Sequence, residues 1–269
     1  MFQQSARIDR LEEMINSVAS SDATVTGESS DSAGGSTVLA ADNTTESGDA
    51  GDIVYGVNAH QDIYLTFDDG PSDNTEAILD ILDQYDVKAT FFVIGSKEKK
   101  YKKLYKEIVE RGHTIGMHSY THKYSSLYDS VESFAAEITK EQDLIEKVTG
   151  LRPWLFRFPG GSSNDVSNAD MNDLISYLND SGITYYDWNV VGGDATSKSY
   201  NTKDVLKSVS NDIGKYKTAV ILLHDANTKT ATVEALGPLI EMLLERDADL
   251  KAIDEDTPLV QHISYESVE

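Results

Sequence analysis

Between Asp62 and Arg246 the chain alternates, six times over, between short runs rich in β-branched and aromatic residues and longer runs of helical period. The strand-like runs are Asp62–Phe67, Ala89–Ile94, His113–Met117, Trp154–Phe158, Thr184–Val190 and Thr218–Leu223. Amphipathic spacing marks Asn74–Tyr85, Lys97–Arg111, Val131–Thr149, Ala169–Asn179, Thr202–Tyr216 and Thr232–Arg246 as helices. Gly150 and Gly182 follow two of them, where a left-handed residue can close the last turn. Repeated strand–helix order implies a mostly parallel sheet, because parallel neighbours need a helical crossover. Six or seven such units without a long interruption predict an α/β fold, a distorted (β/α) barrel of about seven strands. Loops at the carboxyl ends of barrel strands share one rim, where the chemistry is expected.

Before this region the texture differs. Ile8, Leu11, Ile15 and Val18 form a short heptad-like stripe, so residues 1–19 read as a short helix or the stub of a stalk. Residues 20–52 are rich in Ser, Thr, Ala, Gly, Asp and Glu, and no Lys or Arg occurs between Arg10 and Lys88. So few large apolar residues cannot offset the entropy of ordering, and this stretch is expected to be a flexible acidic linker. Asn43-Thr44-Thr45 matches a glycosylation acceptor, a pattern that arises often by chance. Residues 53–269 are assigned to the folded domain.

Composition removes several functions. No cysteine is present, which excludes disulfides, thiolate zinc, iron–sulfur clusters and a cysteine nucleophile. Any metal must therefore use His and carboxylate. With 46 acidic against 23 basic residues and a net charge of −23, the field repels phosphate backbones and anionic lipid, so neither nucleic acid nor a membrane surface is an expected partner. No run approaches the roughly 20 apolar residues of a membrane span. The chain is expected to be soluble and monomeric, with any export signal or anchor lying upstream. The acidic balance and lack of cysteine suit work outside a bacterial cell.

Four clusters follow predicted strands. Thr66-Phe67-Asp68-Asp69-Gly70-Pro71-Ser72 puts two carboxylates at a strand end, pointing apart, so that one can bind a metal while the other faces a substrate. His118-Ser119-Tyr120-Thr121-His122 carries two imidazoles at i and i+4, a spacing that suits chelation if the segment makes a helical turn. With one Asp they would form a three-ligand site open to water, which fits zinc and equally iron(II). Arg157-Phe158-Pro159-Gly160-Gly161 offers a guanidinium able to orient a catalytic Asp. Leu222-Leu223-His224-Asp225 offers a general acid near neutral pH. Singly, each also fits a turn, an ion pair or a polar loop; together they fall on one predicted rim.

In this order the four clusters, across about Asp62 to Leu250, resemble the polysaccharide deacetylase family, the carbohydrate esterase 4 or NodB-homology domain. The resemblance implies a barrel of fewer than eight strands and one divalent metal, usually zinc, with cobalt, nickel or iron as alternatives. It also implies hydrolysis of N-acetyl groups on an N-acetylglucosamine polymer, or sometimes of O-acetyl groups on xylan. Carried over by residue, Asp68 is the base, Asp69, His118 and His122 hold the metal, Arg157 orients Asp68, and His224 is the acid. The Gly160 amide helps hold the oxyanion, while Leu222 and Trp188 line the acetyl pocket. One motif departs from the pattern. Within Asp187-Trp188-Asn189-Val190-Val191-Gly192-Gly193-Asp194-Ala195, Val191 stands where an Asp usually tunes the catalytic His, and Ala195 replaces the closing Trp. Asp187 or Asp194 is expected to take over the tuning.

The function so implied is removal of N-acetyl groups from a bacterial cell-surface glycan, peptidoglycan foremost. Chitooligosaccharide, exopolysaccharide and acetylxylan are the alternatives within the class, and a carbohydrate-binding wall protein without turnover is the alternative outside it. His113 begins a strand and reads as structural; His60 and His262 lie in flanking segments and carry no assignment.

Overall fold

The computed structural model describes residues 61–195 and 200–264. The expected stalk helix, the acidic linker, the glycosylation acceptor and His60 lie outside the described residues.

Strand β1 (Asp62–Asp68) is central, and all of Ile63–Asp68 is buried, as a strand covered on both faces must be. Helix α1 (Thr75–Gln84) leads to β2 (Thr90–Val93), α2 (Lys99–Glu110) to β3 (Thr114–Met117), and α3 (Tyr124–Leu127) with α4 (Val131–Thr149) to β4 (Leu155–Phe156). Next come α5 (Met171–Asp180), β5 (Thr184–Tyr185), β6 (Val190–Val191), α6 (Thr202–Asp212), β7 (Thr218–His224), α7 (Thr230–Leu244) and β8 (Asp249–Lys251). The sheet runs β5-β4-β3-β2-β1-β7-β6, with parallel pairing throughout. Because β2 covers only Thr66–Asp68 of β1, β8 occupies the other half, beside Asp62–Tyr64.

Local signals place the helices. Ser130 caps α4, its side chain accepting from the Ser133 N–H, and Gly150 closes it at φ 81°. Asn201 and Asp204 form a reciprocal capping box on α6. The stacked pairs Phe67–Phe91 and Phe134–Phe158 fill the core.

The structure departs from the expected elements in three places. The single strand expected over Thr184–Val190 is two short strands, β5 and β6, at opposite ends of the sheet path, so the sheet curls without closing through a continuous ladder. The chain's last described segment lies along that seam. Asp187 N–H donates to Val260 O at 2.7 Å, Gln261 Nε2 to Tyr185 O at 3.0 Å, and Tyr186 Oη to Thr257 O at 2.8 Å. Strand β8 and helix α3 were also unanticipated, being too short to show a period.

Candidate active site

Every strand of a parallel sheet ends on the same rim, and there β1 delivers Asp68 and Asp69. Asp69 has φ 73°, a left-handed conformation that β-carbons disfavour, and it ends the strand; Asp68 Oδ2 and Asp69 Oδ1 both stand 3.7 Å from His118 Nε2. Asp68 is 2% exposed. Its Oδ1 accepts from Arg157 Nη1 at 2.9 Å. Burial pushes the Asp68 carboxyl upward, against the opposing pull of Arg157 and His224.

Arg157 is wholly buried at the end of β4 and uses all three guanidinium nitrogens. Nε donates to Tyr186 O at 3.0 Å, Nη1 to Thr66 Oγ1 at 2.7 Å as well as to Asp68, and Nη2 to Asp187 O at 2.8 Å. Its guanidinium lies 4.1 Å from the centroid of the Phe92 ring. A buried cation needs such compensation, and here it ties β1 to the β5–β6 connection.

The turn after β3 carries the imidazoles, with Ser119 at φ 88° and His122 at φ 52°. These conformations are held from behind by α4, where Glu137 accepts from the Thr121 N–H at 2.7 Å and Glu141 from the His118 N–H at 3.3 Å. One ligand atom from each of Asp69, His118 and His122 lies within 4.8 Å of the others. His122 Nε2 stands 3.2 Å and His118 Nε2 3.7 Å from Asp69 Oδ1. The other nitrogen of His118, Nδ1, sits 2.8 Å from Arg157 O. That contact fixes the tautomer with Nε2 unprotonated and aimed at Asp69, as a metal-binding histidine requires. Burial drives the His118 pKa down to about 3, so the imidazole is neutral. The donor set and tautomer therefore fit a divalent cation such as zinc; one carboxylate with two imidazoles does not distinguish zinc from its neighbours.

His224 ends β7 as the register partner of Asp68. Asp194 grips it twice, through Nδ1 at 2.8 Å and the backbone N–H at 2.8 Å, and also accepts from Thr232 Oγ1 at 2.9 Å. Burial opposes protonation of His224, but the hydrogen bond and charge of Asp194, helped by Asp68 and Asp69, outweigh it and raise the pKa.

The sequence and the fold resemble those of known proteins. A family model described as polysaccharide deacetylase matches residues 56–176. A peptidoglycan-N-acetylglucosamine deacetylase of Bacillus cereus is 32% identical over 200 residues, covering 72% of this chain and 70% of that protein. The chain belongs to the polysaccharide deacetylase family. Among solved structures of the family, the catalytic domain of peptidoglycan N-acetylglucosamine deacetylase from Eubacterium rectale aligns with TM-score 0.72 and 36% identity, over 76% of this chain and 93% of that one. A Streptococcus mutans CE4 esterase aligns with TM-score 0.66 and 29% identity, over 73% and 87%.

Against the family pattern, the two candidates for tuning His224 separate. Of the two, Asp194 reaches the imidazole and Asp187 does not. Asp187 instead accepts from the Ser162 N–H at 2.8 Å, Ser162 Oγ at 2.5 Å and the His262 N–H at 2.7 Å, fastening the turn after Gly161 to the chain's last described segment. Val191, at the usual tuning position, is exposed on β6. The bend that brings Asp194 back passes Gly192, where a β-carbon would stand 2.4 Å from Leu223 Cδ2, and Gly193 at φ 78°.

Gly160 adopts φ 82° under Tyr124, whose Oη would lie 3.2 Å from a β-carbon there. Trp188 packs edge-on to His262 at 4.9 Å between centroids, and Leu222 is buried in register with Thr66. Sequence reasoning gave His262 no part, yet its Nε2 lies 2.8 Å from Trp188 O. Tyr128, also missed, donates to Pro159 O at 2.8 Å and supports the loop that carries Gly160. Neither residue has a local motif; only the fold brings them to the site.

Proposed function

We propose that this chain hydrolyses N-acetyl groups on N-acetylglucosamine residues of a bacterial cell-surface glycan, with peptidoglycan as the principal substrate and a divalent metal, zinc foremost, as cofactor. The observation that carries this reading is the pairing of Asp68 and His224 at one rim beside the Asp69, His118 and His122 cluster. The names of relatives that act on peptidoglycan support the substrate.

Asp69, His118 Nε2 and His122 would hold the ion, which when bound polarises the acetyl carbonyl and acidifies water. Asp68, oriented by Arg157, accepts a proton from the attacking water. The Gly160 amide N–H donates to the carbonyl oxygen as negative charge gathers there. His224, protonated and held by Asp194, gives its proton to the amide nitrogen as the carbon–nitrogen bond breaks, because an unprotonated amine anion is a very poor leaving group. Acetate and a free amine result. Trp188 and Leu222 shape the space for the acetyl methyl. The site of action is the cell surface, and one copy of the chain suffices for the chemistry because all the named groups come from it.

Acetate release and new amines are measured with metal-loaded protein on purified peptidoglycan, chitopentaose and acetylated xylan. Release fastest from peptidoglycan is expected. No release from any of the three, with metal bound, overturns the enzymatic reading.

A further inference from the structure

A net charge of −23 repels an acidic polymer, yet six of the 23 basic residues crowd into ten positions, Lys97, Lys99, Lys100, Lys102, Lys103 and Lys106. All six belong to α2 or the turn before it, whose opposite face buries Leu104, Tyr105 and Ile108. Lys102 is half-buried and the other five are exposed. Lys100 pairs with Asp73 at 2.6 Å and Lys103 with Glu107 at 2.6 Å. Lys97, Lys99, Lys102 and Lys106 have no ion-pair partner among the described residues. The first turn of α2 holds no acidic residue, and Glu98 at its N-cap makes no side-chain cap, so the lysines crowd the positive end of the helix dipole with that one carboxylate beside them. A solvated face needs no such crowding in a protein already this highly charged. Local conflict of this kind marks positions kept for something other than stability.

The tract adjoins the candidate active site. The turn before α2 joins the rim through Ile94 N–H to Gly70 O at 2.7 Å and Gly95 N–H to Ser119 O at 3.3 Å. Tyr120 packs so closely on this turn that a β-carbon at Gly95 would stand 2.5 Å from its ring. The Lys140 ammonium sits 3.9 Å from the centroid of that ring, and exposed Lys123 directly follows His122. Cationic groups thus run from the edge of the His118–His122 turn to the start of α2.

We propose that this lysine tract is a docking surface for the carboxylates carried at intervals along an anionic glycan, as in the peptide stems of peptidoglycan, and that it selects such strands over neutral ones. The inference rests on the glycan reading above and goes beyond it, since none of these lysines takes part in the acetyl transfer to water.

The test uses the whole chain and the variants K97Q/K99Q/K102Q and K97E/K99E/K102E. Metal-stripped protein is sedimented with insoluble peptidoglycan and with neutral chitin, at low and high salt. Wild type is expected to favour peptidoglycan at low salt, and the glutamine variant or high salt to weaken that binding about tenfold while chitin binding stays unchanged. The glutamate variant should lose it further. With metal restored, kcat/KM on neutral chitopentaose should match wild type in both variants, whereas KM on soluble peptidoglycan strands rises. Equal losses on both polymers, or no loss on peptidoglycan, overturn the proposal. So does competition by a phosphodiester wall polymer when a carboxylated glycan does not compete. Because sedimentation needs no turnover, absence of acetate release would overturn the enzymatic reading and leave the docking surface to be decided by binding alone.

Discussion

Asp68 and His224 are register partners at the carboxyl ends of β1 and β7, two adjacent parallel strands. Paired residues in a parallel ladder show their side chains on the same face, so the spacing of the proposed base and acid is set by the strand separation of about 4.8 Å rather than by a loop. Different elements then act on the two groups. Arg157, from β4, steadies the carboxylate; Asp194, from the bend after β6, steadies the imidazolium. Burial pushes the Asp68 carboxyl up against the pull of Arg157 and His224, while Asp194 raises the His224 imidazole against the effect of burial.

His224→Asn is expected to lower kcat on N-acetylated glycan by about 10²- to 10⁴-fold, the usual worth of one general acid. Metal binding, followed by equilibrium dialysis, should stay stoichiometric, because Asp69, His118 and His122 are untouched. Loss of the metal together with the rate would show that His224 supports the cluster instead.

Chelation should abolish acetate release, and added zinc or cobalt should restore it. His118→Ala is expected to weaken metal binding by more than the roughly 10- to 100-fold that follows loss of a supporting hydrogen bond, since it removes a ligand atom. Calorimetric titration of stripped protein reads this directly. A His118→Ala protein that binds zinc as wild type does would exclude the proposed ligand set.

The pH profile follows from Asp194. His224 must be protonated to act, so kcat/KM falls as pH rises through its pKa. Asp194 raises that pKa, chiefly by hydrogen bond and charge working against burial. Asp194→Asn removes the charge, the pKa falls, and the alkaline limb moves to lower pH. Asp187→Asn should leave that limb in place, since Asp187 bonds to Ser162 and His262 and not to His224. An unmoved limb in Asp194→Asn would remove Asp194 from the acid's surroundings.

Residues with a period or a motif were legible in the sequence. The order of strands and helices follows from spacing alone, and the residues proposed for the chemistry lie at predicted strand ends because a parallel sheet leaves them nowhere else on the rim. The break of Thr184–Val190 into β5 and β6 was not legible, because a run of β-formers reads the same whether it pairs throughout or bends midway. The choice between Asp187 and Asp194 depended on the path through Gly192 and Gly193, which sequence register does not encode. His262 reaches Trp188 across 74 positions of chain, and only the fold of the last described segment onto the β5–β6 seam brings them together.

Arg157 shows how far the site and the stability of the fold are one structure. Its guanidinium is wholly buried and bonded to Thr66, Asp68, Tyr186 and Asp187, so removing it strands a buried carboxylate and leaves two backbone carbonyls without their donor. Breaking a buried pair from one side costs about 3–5 kcal/mol. Arg157→Met, of similar length and without charge, is therefore expected to lose about that much in denaturant unfolding at neutral pH, where Asp68 must either stay charged without its partner or take up a proton. Asp68→Asn in the same background removes the stranded charge, so the double variant should regain part of the loss and show coupling between the two positions. Strictly additive losses would mean that Arg157 serves the β5–β6 seam alone and does not hold Asp68.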